Sequence, residues 1–220
     1  MYNTTNIKAI LFDMDGTVLE SEGLFAKAEH QVLIDYGVQV DISDLNMFRG
    51  MPEEIFYIEF KKRYNLSEDK LILQKKIKKN LYKLYKTTLA YVDGFEDFYK
   101  KYVTSANRKT ALVTNTSIDI VEEVSSAINI SEYYSHIITS TDVSEPKPSA
   151  IPYAVAMRAL GVKSSECIII EDSSSGLLSG VRSGAQVFGI KTTLSTAQIR
   201  VISPKIIVVK NYKELSEYLD

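Results

Sequence analysis

Short, unbroken apolar runs recur along the chain and alternate with stretches of helical periodicity. Ile7–Phe12 (IKAILF) ends in acids and a glycine and reads as a buried strand. Thr110–Val113, Ile137–Ile138, Cys167–Ile170, Val187–Ile190 and Ile206–Val209 read the same way. Between them Ser117–Ile128, Ser149–Leu160 (stopped by Gly161), Gly176–Ser183 (ending at Gly184) and Glu214–Leu219 carry helical spacing. Strands that are apolar at every position lie between two covering layers, so the pattern predicts an α/β protein with a Rossmann-like parallel sheet.

The middle of the chain has no strand pattern. Leu24, Ala28 and Val32 share one helical face, closed by Gly37. Pro52 suits the first turn of a second helix, and Ser67 is placed to cap a third. From Leu71 onward, Ile77, Leu81 and Leu84 form the apolar stripe of that third helix. The expected organisation is a core of residues 1–19 and 90–220, interrupted by an all-helical cap domain at 20–89. Ligands of open parallel sheets bind beyond the carboxyl ends of the strands, so an insertion after the first strand is expected to serve as a lid.

Composition narrows the class. The 220 residues are 45% hydrophobic and 25% charged, which excludes a disordered or fibrous chain. One cysteine, Cys167, excludes an internal disulfide framework, and two distant histidines, His30 and His136, argue against a Cys/His zinc site. No apolar run reaches membrane-spanning length and the N-terminus lacks a secretory pattern, so the expected setting is the cytoplasm, without a membrane partner. The net charge of −2 conceals an asymmetry. Residues 1–60 hold 11 acids and 3 bases, net −8, whereas residues 61–86 hold 2 acids and 10 bases, net +8. Lys75, Lys76, Lys78, Lys79, Lys83 and Lys86 mostly avoid the Ile77/Leu81/Leu84 stripe, so this block reads as the solvated side of an amphipathic helix rather than a nucleic-acid surface, although Tyr82 and Tyr85 interleave with it.

Candidate chemistry gathers at strand ends. Asp13-Met14-Asp15-Gly16-Thr17 follows the first strand, and residues two apart on an extended segment point the same way. Two carboxylates there can bind a hard cation or act as nucleophile and acid/base; a capped strand-end turn has the same letters. Glu171-Asp172 ends the Cys167–Ile170 strand, and adjacent acids repel unless something positive compensates. A Mg²⁺ ion shared with Asp13 and Asp15 accounts for both clusters. Thr114-Asn115 offers a hydroxyl, an amide and backbone N–H groups at a helix start, an anion cradle or an ordinary cap. Lys147-Pro148 places a lysine near the start of the Ser149–Leu160 helix, where it can neutralise phosphate oxygens.

Taken together, LFDMDGT, LVTNT, the KP of SEPKPSAIPY and IIIEDSSSG resemble, in order and across the whole chain, the haloacid dehalogenase superfamily. The match is most similar to its sugar-phosphate phosphatase and β-phosphoglucomutase group. The resemblance implies that Asp13 attacks phosphorus and forms an aspartyl-phosphate, and that Asp15 protonates the leaving oxygen and later activates water. It implies that Thr114 and Lys147 hold the phosphoryl group. Asp13, the carbonyl of Asp15 and Asp172 would ligate Mg²⁺, with Glu171 supporting it directly or through water. Arg49, in a cap loop, would contact a small phosphorylated metabolite, or is a surface arginine before a turn, and Glu20 and Glu22 either meet sugar hydroxyls or favour a helix N-terminus.

Some positions depart from the pattern. Ala150-Ile151 stand where relatives often carry Pro-Asp. Phe25 stands where mutases of the group carry a histidine, and Thr17 is commoner in phosphatases, so a hydrolase is favoured over a phosphoglucomutase-type transferase. A receiver-like signalling module, which shares the acids, hydroxyl and lysine, needs no cap, and its phosphoaspartate persists, whereas Asp15 here is placed to hydrolyse one. The expected protein is a monomeric, Mg²⁺-dependent phosphatase.

Overall fold

The computed structural model describes residues 5–21, 23–48 and 53–220. Strand β1 (Ala9–Phe12) is buried at every position, as a run apolar on both faces requires. It pairs in parallel with β2 (Lys109–Val113) on one side and with β4 (Cys167–Glu171) on the other. Beyond these lie β3 (His136–Ile138), β5 (Gln186–Ile190) and β6 (Ile207–Val209), giving six parallel strands in the order β3-β2-β1-β4-β5-β6. The chain winds outward from β1 to β3, then returns to lay β4 beside β1. That reversal opens a crevice at the carboxyl ends of β1 and β4.

Nine α-helices are described. Helices α1 (Leu24–Asp35), α2 (Glu53–Arg63) and α3 (Lys70–Thr88) come first. Helix α4 (Phe95–Tyr99), extended by a π-helical turn at Lys100–Thr104, and α5 (Ile118–Ile128) flank β2 in sequence. Helices α6 (Ile151–Leu160), α7 (Ser174–Ser183), α8 (Thr196–Ile202) and α9 (Tyr212–Leu219) complete the chain. Two units share it: Met1–Glu20 with Ala90–Asp220, and Ser21–Leu89.

In the sheet unit, alternate residues of β1 face opposite layers. Ala9 and Leu11 pack with Ala111, Ile169, Tyr153 and Leu160, the last two from α6. On the other face Phe12 meets Phe95 edge-on, with ring centroids 5.7 Å apart, and Phe98 at 6.3 Å. Each fully buried Leu, Ile or Phe contributes about 1.5–3 kcal/mol, so the residue immediately before Asp13 is fixed on both sides. Gly16 has φ 78°, and a Cβ there would overlap the Asp172 carboxylate, so only glycine serves at this turn.

In the helical unit, α1 packs against α3. The buried stripe of α3 is Leu73, Ile77, Leu81 and Tyr85; Leu84 is only half-buried and Leu71 is exposed. The register thus runs i, i+4, i+8 and i+12, one position from the expected Leu84. The cap of α3 is Asp69, whose Oδ1 accepts from the Leu71 N–H at 2.7 Å, rather than Ser67. Phe48, Phe56 and Phe60 form a second cluster there, with Phe48–Phe56 centroids at 5.5 Å. Lys75, Lys79, Lys83 and Lys86 are exposed along α3. No described helix is long and apolar enough to cross a membrane.

Several boundaries moved. The Ser149 helix begins at Ile151, and the Gly176 helix begins at Ser174 because the Ser173 hydroxyl accepts from Gly176 N–H at 3.1 Å. Helix α9 starts earlier, at Tyr212, behind the Asn211 cap.

Candidate active site

Asp13 leaves the end of β1 with its N–H still donating to the Ile170 carbonyl of β4 at 3.1 Å. Its carboxylate is buried, and Oδ1 accepts from Lys147 Nζ at 2.6 Å. The same ammonium donates to Glu171 Oε1 at 2.6 Å and to the Val113 carbonyl at 2.7 Å. A lysine has three protons, and all three have acceptors here. Lys147 thus ties together the carboxyl ends of β1, β2 and β4.

The lysine is itself held by its backbone. Asn115 Oδ1 accepts from Lys147 N–H at 2.9 Å, and Asn115 Nδ2 donates to the Lys147 carbonyl at 3.0 Å. Both ends of the predicted anion-binding amide are therefore spent on placing the lysine. Thr114 is buried beside it, its Oγ1 accepting from the Thr116 N–H at 3.0 Å. Thr116 in turn donates from Oγ1 to Asp15 Oδ2 at 2.8 Å. Sequence reading missed Thr116; its place two residues after Thr114 was the available signal.

Glu171 is wholly buried and its oxygens are saturated. Oε1 accepts from Lys147 and from the Tyr153 hydroxyl, the latter at 2.9 Å. Oε2 accepts from the N–H groups of Asp172 (3.0 Å) and Ser173 (3.2 Å) and from the Ser173 hydroxyl (3.1 Å). Asp172 is also buried; Thr17 donates to its Oδ1 at 3.2 Å, and Thr192 (3.2 Å) and Thr193 approach Oδ2. Thr192 and Thr193 lie outside every quoted motif, and Tyr153, although it closes the SEPKPSAIPY segment, stands six residues past the lysine that marks that segment. Arg49 and Glu22, predicted cap contacts, lie outside the described residues.

Asp13, Glu171 and Asp172 each present an oxygen within 4.8 Å of the others. One lysine cannot balance three carboxylates. Burial, then Glu171, raises the Asp13 carboxyl well above its ordinary range, against the pull of Lys147. Burial and Glu171 likewise push Asp172 up to about 7, while the threonine hydroxyls hold it down. Burial opposes the charge on Lys147, but Asp13 and Glu171 outweigh it and push the ammonium up to about 12. Excess negative charge in a buried site is the condition a hard divalent cation relieves. The donors fit one: all are oxygens, and Asp13 Oδ2 has no hydrogen-bond donor among the described residues. Glu171, with five donors already in place, is the carboxylate least free to coordinate.

The chain is 30% identical over 191 residues to a Clostridium perfringens protein provisionally named pyrophosphatase PpaX, covering 85% of each. It is 25% identical over 215 residues to the phosphoglycolate phosphatase of Photorhabdus laumondii, covering 95% of this chain and 91% of that one. It also matches the chloroplastic protein Suppressor of Quenching 1 of Arabidopsis thaliana at 28% identity, but spans only 19% of that protein's length. In fold it is similar to a Thermotoga maritima crystal structure provisionally named a β-phosphoglucomutase, with a TM-score of 0.86, 20% identity and coverage of 97% and 98%. Residues 10–190, which run from Ile10 of β1 to the end of β5 and include Asp13, Asp15, Glu171 and Asp172, match the haloacid dehalogenase-like hydrolase model, and the chain belongs to that family.

Proposed function

We propose that the protein is a Mg²⁺-dependent phosphatase that hydrolyses a small phosphomonoester, of the sugar-phosphate class, through an aspartyl-phosphate. The observation that carries this reading is the Lys147 ammonium, held 2.6 Å from both Asp13 and Glu171 at the switch point of a parallel sheet. It opposes, without cancelling, the burial and the neighbouring acids that favour a protonated Asp13, and a bound cation would complete the neutralisation that leaves this carboxylate ionised as the nucleophile.

Asp13 attacks the phosphorus and the ester P–O bond breaks. Asp15, oriented by Thr116, gives its proton to the departing oxygen. Asp15 then takes a proton from water as that water attacks the aspartyl-phosphate, releasing inorganic phosphate and restoring Asp13. Thr114 and Lys147 serve the phosphoryl group, by hydrogen bonding and by charge. Asp13, Asp172 and the carbonyl of Asp15 would hold the cation, with Glu171 adding charge or a bridging water. The bound cation supplies charge neutralisation for the phosphoryl oxygens. Substrate choice is assigned to the helical unit, 20–89, acting as a cap, with Arg49 as a contact.

The test is phosphate release from a panel of sugar phosphates, nucleotides, phosphoglycolate and pyrophosphate, with Mg²⁺ or EDTA. Asp13→Asn should abolish release with the fold intact. Retained Mg²⁺-dependent turnover in that variant would overturn the mechanism. Isomerisation of β-glucose 1-phosphate without phosphate release would replace the phosphatase by a mutase.

A further inference from the structure

The loop after β5 reaches across to the acids of the site, although no motif marks it. Thr192 Oγ1 lies 2.6 Å from the Gly16 carbonyl and 3.2 Å from Asp172 Oδ2. Thr193 Oγ1 also donates to Asp172 Oδ2. A hydroxyl has one proton. The shorter contact assigns the proton of Thr192 to Gly16, so Thr193 is the donor that serves Asp172.

The two threonines therefore have different tasks. Thr192 pins the β5 loop to the turn that carries Asp13 and Asp15. Thr193, anchored by its neighbour, fixes the direction in which the Asp172 carboxylate points. Thr17 constrains the other oxygen from the β1 side. Asp172 is thus oriented from two loops at once, by Thr193 21 residues downstream and Thr17 155 upstream.

We propose that Thr193, braced by Thr192, is a positioning residue that sets the affinity of the Asp13/Asp172 site for a divalent cation. This rests on the cation-binding role assigned to those acids above. Hydrogen-bond partners of metal ligands commonly govern affinity by tenfold or more, because they fix the ligand oxygen where the cation needs it.

The probe is Mg²⁺ alone, with the full-length protein and no substrate. Calorimetric titration gives its Kd, and the Mg²⁺-induced rise in Tm gives an independent readout. Thr193→Val keeps the side-chain shape and removes the donor; it should weaken Mg²⁺ about tenfold. Thr193→Ser keeps the donor and should bind close to wild type. Thr192→Val should weaken binding less than Thr193→Val, since its proton goes elsewhere. Should the valine variant fail to fold, Thr193→Ala against Thr193→Ser makes the same comparison. Wild-type affinity in Thr193→Val, or equal weakening in the valine and serine variants, overturns the proposal. A wild-type protein with no saturable Mg²⁺ binding overturns the cation-dependent reading as well, so the two failures are distinct.

Discussion

Asn115 and Lys147 hold each other by two reciprocal hydrogen bonds, with the amide of one closing on the peptide groups of the other at 2.9 and 3.0 Å. The side chain that a strand-end motif offers to an anion is thus occupied in placing the cation beside it. Asn115→Ala should cost about 1–2 kcal/mol in denaturant unfolding, from two lost bonds of about 1 kcal/mol each. It should also lower kcat on the order of a hundredfold, the penalty of shifting a reacting group by about 1 Å. A variant with raised KM and intact kcat would place Asn115 on the substrate instead.

The strands were legible because burial on both faces leaves no room for polar residues, as in Ala9–Phe12 and Cys167–Ile170. The acids were legible because they stand where those runs stop. Helix α8 escaped notice although Ser195 and Gln198 form a capping box, since seven residues with one buried side chain show little periodicity. Leu84 was misplaced for a related reason: Tyr85 is amphipathic, and sequence alone does not say which end is buried. Lys147 meets Asp13 across 134 residues of sequence, and tertiary pairing at that separation leaves no local trace.

Lys147 and Glu171 form a buried pair, both nearly free of solvent contact. Lys147→Met alone should destabilise the protein by about 3–5 kcal/mol, because Glu171 and Asp13 both lose the ammonium that pairs with them. Combining it with Glu171→Gln should restore part of that loss, with a coupling of about 1–3 kcal/mol in a double-mutant cycle. Strict additivity in urea unfolding would show that the pair does not act as a unit. Neither variant should turn over substrate at a wild-type rate.

Tyr153 gives Glu171 a neutral donor while its ring lies under the Lys147 ammonium, 5.1 Å from the centroid. Tyr153→Phe keeps the ring and removes the hydroxyl. The expected cost is about 1–2 kcal/mol, since a buried carboxylate oxygen loses one of two donors. Tyr153→Leu removes both contacts and should cost more. Equal Tm values for the two variants would mean that the ring contributes nothing beyond its hydroxyl.

Cys167 opens β4 in the interior, where its thiol donates to the Lys163 carbonyl at 3.2 Å. Burial, assisted by the negative charge of Glu166, pushes the thiol up to about 12. The unfolded thiol titrates near about 8.5. The folded pKa is therefore the higher one, and the folded state holds its proton longer. The resulting stability is fully present below about pH 8.5 and is lost as pH rises from there toward about 12, at up to about 1.4 kcal/mol per pH unit. Raised tyrosines such as Tyr134 and Tyr212 add their own loss at the alkaline end. The Cys167 contribution is isolated by subtracting a Cys167→Ala variant, so urea unfolding at pH 8, 9 and 10 should show wild type losing ground to the variant as pH climbs. At pH 8 the native thiol should resist a disulfide reagent that labels the urea-unfolded chain within minutes. Rapid labelling of the native protein, or a wild-type-minus-variant difference that stays flat with pH, would show that the thiol is neither enclosed nor shifted upward.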